Sequence, residues 1–431
     1  MSFNEAVSKW ETEKLSQLTD YISRGITPKY TEDKNRSILV VNQRCIREGK
    51  VLFEDARRHD IEKKKISEEK FLRDFDVLVN STGVGTLGRV SQIKKVHEPT
   101  TVDSHVTIVR GNADYIDKKY LGYAIKAQQS IIENMAEGST GQTELSRKRL
   151  GDEIVIGFPK NKQEQKAIAH ILSILDDKIE VNNEINKTLE NMAQVIFKQW
   201  FVDFEFPNED GEPYKSSGGE MVESELGMIP KGWEVKKVEQ VTKIIRGASP
   251  RPIQDFIRDE GIPWVKISDA SSSNTRFISS TKEFIKEEGR KKSREVKVGT
   301  LILSNSATPG IPMIMKIDAC VHDGWLIFDE FREVTKEYMF HFLTENRIGI
   351  LSLSNGSVFR NLKTDILKNY KIIIPSRDVV ARVDNIFKSI NNSIDNIENQ
   401  ITTLTKIRDG LLTKLMSGEI RVPLDEEGDV S

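Results

Sequence analysis

The chain is one unit written twice, and no other feature constrains its architecture as much. Ile22-Ser23-Arg24-Gly25-Ile26-Thr27-Pro28 returns as Ile244-Ile245-Arg246-Gly247-Ala248-Ser249-Pro250. Val77-Leu78-Val79-Asn80-Ser81, followed by Thr86-Leu87-Gly88, returns as Thr300-Leu301-Ile302-Leu303-Ser304, followed by Thr308-Pro309-Gly310. Gly138-Ser139 is matched by Gly356-Ser357. Ile154-Val155-Ile156-Gly157-Phe158-Pro159 is matched by Tyr370-Lys371-Ile372-Ile373-Ile374-Pro375. The interval from Arg24 to Gly88 is 64 residues, as is that from Arg246 to Gly310. The sequence between the matches differs, as expected of a common scaffold carrying different loops.

Each half changes period at its proline. Before it, short apolar runs at Ser37 to Val41, Phe75 to Val79, Val106 to Val109 and Leu301 to Leu303 predict strands bounded by turn residues. Pro159 and Pro375 end the last strand of each half, and helical patterning follows. In the first helix Ile168, Leu175, Asn182, Leu189 and Ile196 fall at d, and Leu172, Ile179, Asn186, Ala193 and Trp200 at a. In the second, Val383, Ile390, Ile397, Leu404 and Leu411 fall at d, and Phe387, Ile394, Ile401, Arg408 and Leu415 at a. Such seams predict a coiled coil, in which Asn182 and Asn186 trade stability for register. Two independent surface helices are the alternative.

The expected fold is α+β: two pseudo-symmetric domains of mixed strands and helices, each followed by a long helix, with the helices packed as an antiparallel coiled coil. The expected divisions are residues 1–160, the first domain; 161–202, its helix; 203–230, an acidic Gly-, Pro- and Ser-containing linker; 231–376, the second domain; 377–422, its helix; and 423–431, an acidic tail.

The formal net charge of −2 conceals an asymmetry. Residues 1–160 hold 27 Lys+Arg against 24 Asp+Glu, and residues 231–376 hold 24 against 18, so the helices, linker and tail carry the acidic excess. Positive charge in two separate blocks suits attraction to phosphate, although surface domains also carry such charge for solubility. Arg57-Arg58, Arg147-Lys148-Arg149 and the stretch Arg290, Lys291, Lys292 and Arg294 lie in these blocks, as phosphate contacts or as solvated faces. Asn80, Ser81 and Thr82, and equivalently Ser304, Asn305 and Ser306, stand at strand ends; they are candidates for base contact or for shared turn architecture.

Signals of catalysis fail on inspection. Gly83-Val84-Gly85-Thr86-Leu87-Gly88 has dinucleotide-site spacing, but strand-like residues follow it where a helix is required, and Arg89-Val90 replaces the Lys-Ser/Thr of a P-loop. Glu62-Lys63-Lys64 has a nuclease-like spacing inside a charged run. No Asp/Asn-Pro-Pro-aromatic motif of adenine methyltransferases occurs. Six scattered histidines predict no metal site. Two distant cysteines, Cys45 and Cys320, and the lack of a signal segment or long apolar run predict a cytoplasmic protein without a membrane span.

Several stretches resemble the specificity (S) subunits of Type I restriction-modification systems. Glu225-Leu226-Gly227-Met228-Ile229-Pro230-Lys231-Gly232-Trp233-Glu234 is similar to their lead-in to a target recognition domain. Gln163-Glu164-Gln165-Lys166-Ala167-Ile168-Ala169-His170-Ile171-Leu172, then Leu175-Asp176-Asp177-Lys178-Ile179, resembles the start of their first conserved helix, and Gln199-Trp200-Phe201-Val202-Asp203-Phe204 its end. Arg408-Asp409-Gly410-Leu411-Leu412-Thr413-Lys414-Leu415-Met416-Ser417-Gly418-Glu419-Ile420-Arg421-Val422 resembles the end of the second. The first domain departs from the pattern by entering through Lys14-Leu15-Ser16-Gln17-Leu18, which leaves its start open. The resemblance implies a subunit without catalysis that binds double-stranded DNA at a bipartite target. It also implies two methyltransferase (modification) subunits and the restriction subunits as partners; S-adenosylmethionine, ATP and Mg would belong to those partners. A coiled-coil scaffold whose end domains bind protein is the alternative.

Overall fold

The computed structural model describes residues 10–47, 49–135, 144–272, 275–353 and 361–423. The matched pair Gly138-Ser139 and Gly356-Ser357, and the tail from 424 onward, lie outside them. The chain divides into two compact units: Met1–Val181 with Ile401–Ser431, and Asn182–Gln400.

The first unit holds two four-stranded sheets. One runs Thr19–Arg24, Val106–Gly111, Val77–Asn80, Val90–Gln92; the other runs Thr100–Val102, Ser37–Val41, Arg57–Asp60, Tyr30–Thr31. The second unit repeats both orders. Its first sheet runs Lys243–Arg246, Trp325–Asp329, Leu301–Ser304, Pro312–Met315, with Phe277–Ile278 added. Its second runs Ala319–Val321, Ile262–Val265, Glu283–Ile285, Ile257–Arg258, with Arg294–Val296 added outside Ala319–Val321. In both, one strand pair of the second sheet is parallel: Thr100–Val102 with Ser37–Val41, and Ala319–Val321 with Ile262–Val265. The expected strands are present, except that the run from Phe75 starts two residues late, at Val77. Strand pairing also equates Asn80 with Ser304, one residue from the alignment of the apolar runs.

The repeat extends to single hydrogen bonds. Gly25 N–H donates to Val106 O and Gly247 N–H to Trp325 O, while Ile26 and Ala248 donate to Val102 O and Val321 O. Gly88 and Gly310, both with positive φ, donate to Asn80 O and Ser304 O. At Gly25 a Cβ would collide with the carbonyl of Val102, and at Gly247 with that of His322, so backbone crosses backbone where no side chain fits. The two Arg-Gly steps are therefore one structural device used twice.

Two 40-residue helices, Lys162–Phe201 and Arg377–Met416, complete the units. All twenty seam positions are buried or half-buried. In the first unit Arg421 pairs with Glu164 at 2.6 Å and Arg408 with Asp176 at 2.8 Å, so the helices of the pair run in opposite directions. In the second, Asn182 Nδ2 donates to Gln400 Oε1 at 3.3 Å, and Arg276 bridges Glu190 and Asn391, again with descending partners. The coiled coil is antiparallel in each unit. Asn182 finds an amide partner, but among the described residues neither side-chain polar atom of buried Asn186 has one. The buried stripe is wider than a two-position seam, because Ala169, Phe197 and Phe201 are covered as well.

Charged contacts clasp each domain to its helices. Lys94 reaches Asp177 and Glu180 at 2.7 and 2.5 Å. Its equivalent in the second repeat, Lys316, pairs with Asp395. The stretch from 203 to 230 departs from the expected linker. It forms the hairpin Met221–Ser224/Gly227–Pro230 and buries Phe204 and Phe206, the latter stacked on Trp233 at 5.0 Å. Its apolar residues are few but aromatic, and that is enough to anchor it.

Two outcomes follow for stability. Gly25→Ala should cost at least about 2 kcal/mol in urea unfolding, because the clashing partner is backbone and cannot rotate away. His341, buried against Phe387 at 4.4 Å, is held neutral, its pKa lowered to about 3 by burial and then by Arg276. The unfolded chain takes up that proton near pH 6.5, so stability present above this value is lost as pH falls toward 3. Between pH 7 and pH 5 the loss should be about 2 kcal/mol, and His341→Phe should flatten it.

Candidate nucleic-acid interface

The matched backbone crossings gather side chains at one end of each first sheet. In the first unit, Leu145 N–H donates to Ser81 O and Ser81 N–H to His105 O. Thr82 pairs with Glu144 in an isolated antiparallel bridge, and Glu144 forms an ion pair with Arg24. Thr82 Oγ1 is 2.8 Å from His105 Nδ1 and 3.3 Å from Gln43 Oε1. A continuous polar row results: Arg24, Glu144, Thr82, with His105 and Gln43 beyond it.

A cleft of about 610 Å³ flanks the row, lined by Arg24, Gly25, Lys70, Glu144 and Arg147 among others. Lys70 Nζ donates to Gly25 O at 2.7 Å and Arg24 O at 3.1 Å. Burial, then the charges of Lys64 and Arg147, hold its ammonium below the ordinary lysine range. Three cations share one recess, an arrangement suited to an anion.

The second unit builds the same end with other residues. Leu362 N–H donates to Asn305 O and Asn305 N–H to Gly324 O. Arg246 Nε donates to Asp323 O at 2.9 Å, and Arg251 lies 3.6 Å from the Asp323 carboxylate. Ser249 Oγ donates to Asp323 Oδ1 at 2.5 Å, and this bond is the main cause holding that carboxyl below its usual pKa. Burial lowers the pKa of His322. Each Arg-Gly step thus presents an arginine to a carboxylate from a neighbouring loop.

The residues singled out by sequence separate into three groups. Asn80, Ser81, Ser304 and Asn305 are buried, which corrects their candidacy for base contact. Asn80 Nδ2 donates to Gln43 O, Ser81 Oγ bonds Thr107 Oγ1, Ser304 Oγ donates to Thr308 O, and Asn305 Nδ2 donates to Asp323 O. They are turn architecture. Thr82 and Ser306 are half-buried at the sheet end itself.

The basic clusters are dispersed. Arg147 lines the cleft and Lys148 is exposed, while Arg149 pairs with Glu153 at 2.6 Å. Arg57 lies over the Tyr30 ring at 3.5 Å, and Arg58 pairs with Glu98 at 2.8 Å. Arg290 is engaged by Glu295 at 2.8 Å, and it is the first cause lowering the Glu295 pKa to about 2. Lys292 sits over Phe256 at 4.7 Å; Lys291 and Arg294 are exposed. Sequence reasoning missed Gln43, His105, Glu144 and Lys70, which lie in different loops and converge only through the fold.

The glycines of Gly83-Val84-Gly85-Thr86-Leu87-Gly88 all have positive φ, in the turn that joins Val77–Asn80 to Val90–Gln92. Glu62 pairs with Arg36 and Lys63 with Asp60 on the surface. Among the described residues no group of three His, Cys, Asp or Glu could hold a metal ion, and no helix is long and apolar enough to cross a membrane.

Comparison with known proteins agrees with this architecture. The sequence profile of the Type I restriction modification DNA specificity domain matches twice, over residues 7–191 and 230–406. The chain therefore belongs to the Type I restriction-modification DNA specificity family. It is 29% identical to the Type I restriction enzyme MjaIX specificity subunit of Methanocaldococcus jannaschii over 72% of this chain and 70% of that one. It is 23% identical to the HindI specificity subunit of Haemophilus influenzae over 96% of this chain and all of that one. The crystal structure of the S subunit from M. genitalium superposes with a TM-score of 0.53 at 18% identity, covering 96% of this chain and 98% of that one, a likeness of fold.

Asn80 tests the assignment of the buried polar residues to architecture. Asn80→Ala removes the bond to Gln43 O and should lower the urea unfolding free energy by about 1–2 kcal/mol.

Proposed function

We propose that this chain is the DNA sequence-specificity subunit of a Type I restriction-modification enzyme, in which each repeat reads one half of a bipartite duplex target. The observation that carries this is the repetition itself. Two domains share strand order and matched backbone hydrogen bonds, yet present different side chains at the equivalent sheet end. Phosphate contacts by the flanking cations would position the duplex, and side chains at the row would select bases.

The chain itself carries no catalysis in this proposal. Two methyltransferase subunits dock on it and restriction subunits join the same assembly. Those partners hold S-adenosylmethionine, ATP and Mg, and the complex works in the cytoplasm. The outer face of the first long helix supports such docking. It leaves Ile185, Met192 and Val195 exposed at 40, 49 and 63%, an apolar stripe that flanks the seam.

Methylation sequencing of a host with and without the gene tests the proposal. Loss of one bipartite adenine-methylation motif is expected, and exchange of residues 231–376 for those of another specificity subunit should alter one half-site only. An unchanged methylation pattern after deletion, or both half-sites altered by the exchange, would overturn it.

A further inference from the structure

We infer that Gln43, Thr82 and His105 are the base-reading side chains of the first repeat; the inference rests on the DNA-reading role proposed above and assigns residues within it. The three are joined through one hydroxyl, with Thr82 Oγ1 against both His105 Nδ1 and Gln43 Oε1. Among the described residues, Gln43 Nε2 and His105 Nε2 have no partner. His105 is exposed and Gln43 half-buried. The row therefore offers an amide and an imidazole nitrogen, both already oriented at their other ends. A glutamine amide can pair with the N6 and N7 edge of adenine, and a threonine hydroxyl can serve either kind of base.

The scaffold is built to hold this set. Asn80 Nδ2 donates to Gln43 O at 3.1 Å and fixes the backbone beneath it. A Cβ at Gly83, whose φ is +100°, would come within 2.7 Å of Gln43 Oε1, so a glycine there leaves the amide its room. Arg24, Lys70 and Arg147 stand beside the row, where a duplex presenting its base edges would place a phosphate.

The second repeat supplies an independent observation. Parallel pairing aligns Val41 with Val102 and Val265 with Val321, which puts Ile267 at the position of Gln43. The bonds Ser81 N–H to His105 O and Asn305 N–H to Gly324 O put Gly324 at the position of His105. The hydrogen bonds that shape the backbone are kept, while two of the three residues in the row are replaced by others of unlike chemistry. Structural residues would be expected to persist with the backbone they support. Residues that select a sequence would be expected to change between two readers of different half-sites.

Single variants Gln43→Ala and His105→Ala, each co-expressed with the modification subunit of the same system, test this by methylation sequencing. Each should reduce methylation of the wild-type sites by about 10-fold or relax one position of one half-site, with the other half-site unchanged. Gln43→Glu, nearly isosteric, should move the preference at its position from adenine toward cytosine. Unfolding in urea at the wild-type midpoint establishes that a variant is folded. Full methylation of an unaltered motif by both alanine variants would overturn the inference, as would equal loss at both half-sites in folded protein. If exchange of residues 231–376 still alters one half-site while these variants do nothing, the assignment fails and the DNA-reading role stands. If deleting the gene leaves methylation unchanged, both fail.

Discussion

Everything in this molecule depends on the packing of two helices that lie more than 170 residues apart in the chain. The first unit closes its core around Ile168 and Leu172 with Leu415, from the far end of the sequence. The second closes around Ala193, Phe197 and Trp200 with Val383, Phe387 and Ile394. Neither domain is finished by the helix that follows it directly. Each borrows a segment of the other helix, and the apolar area buried there is the main favourable contribution to holding them.

On that apolar seam the polar contacts supply orientation more than strength. Lys94 and Lys316 occupy the same position of the two repeats, and each reaches a carboxylate of a long helix. These exposed or half-exposed pairs contribute little energy individually. Arg276 is different: its buried guanidinium meets Glu190, Asn391 and the face of Phe340 at 4.4 Å, so it locks the second domain against both helices at one point. Removing one partner would strand a buried charge.

The legible part of this architecture was the part that both repeats share. Arg24-Gly25 and Arg246-Gly247, the Asn80 and Ser304 strand ends, and Gly88 and Gly310 all serve backbone geometry, so they recur and can be found by comparing the halves. The heptads were legible because a seam repeats by its nature. Gln43 and His105 were not, since they come from separate loops and have no counterpart of like chemistry at the matched positions, Ile267 and Gly324. The segment from 203 to 230 was misjudged because its acidic, glycine-containing composition outweighed two phenylalanines that turn out to be buried. Asn80 and Ser81 were ambiguous in sequence for a physical reason: the same polar side chains can satisfy a buried turn or face a ligand, and only burial separates the two.

The borrowed helix segment has a consequence for biosynthesis. Residues 401–423 are made after both repeats, yet they complete the core of the unit that contains the first repeat. A chain made only as far as the first helix would lack the cover that Leu411, Leu412, Leu415 and Met416 give to Ile168 and Leu172. The core of the first unit is therefore complete only when the second helix is present, so removing residues 401–423 takes away not an appendage but part of that core.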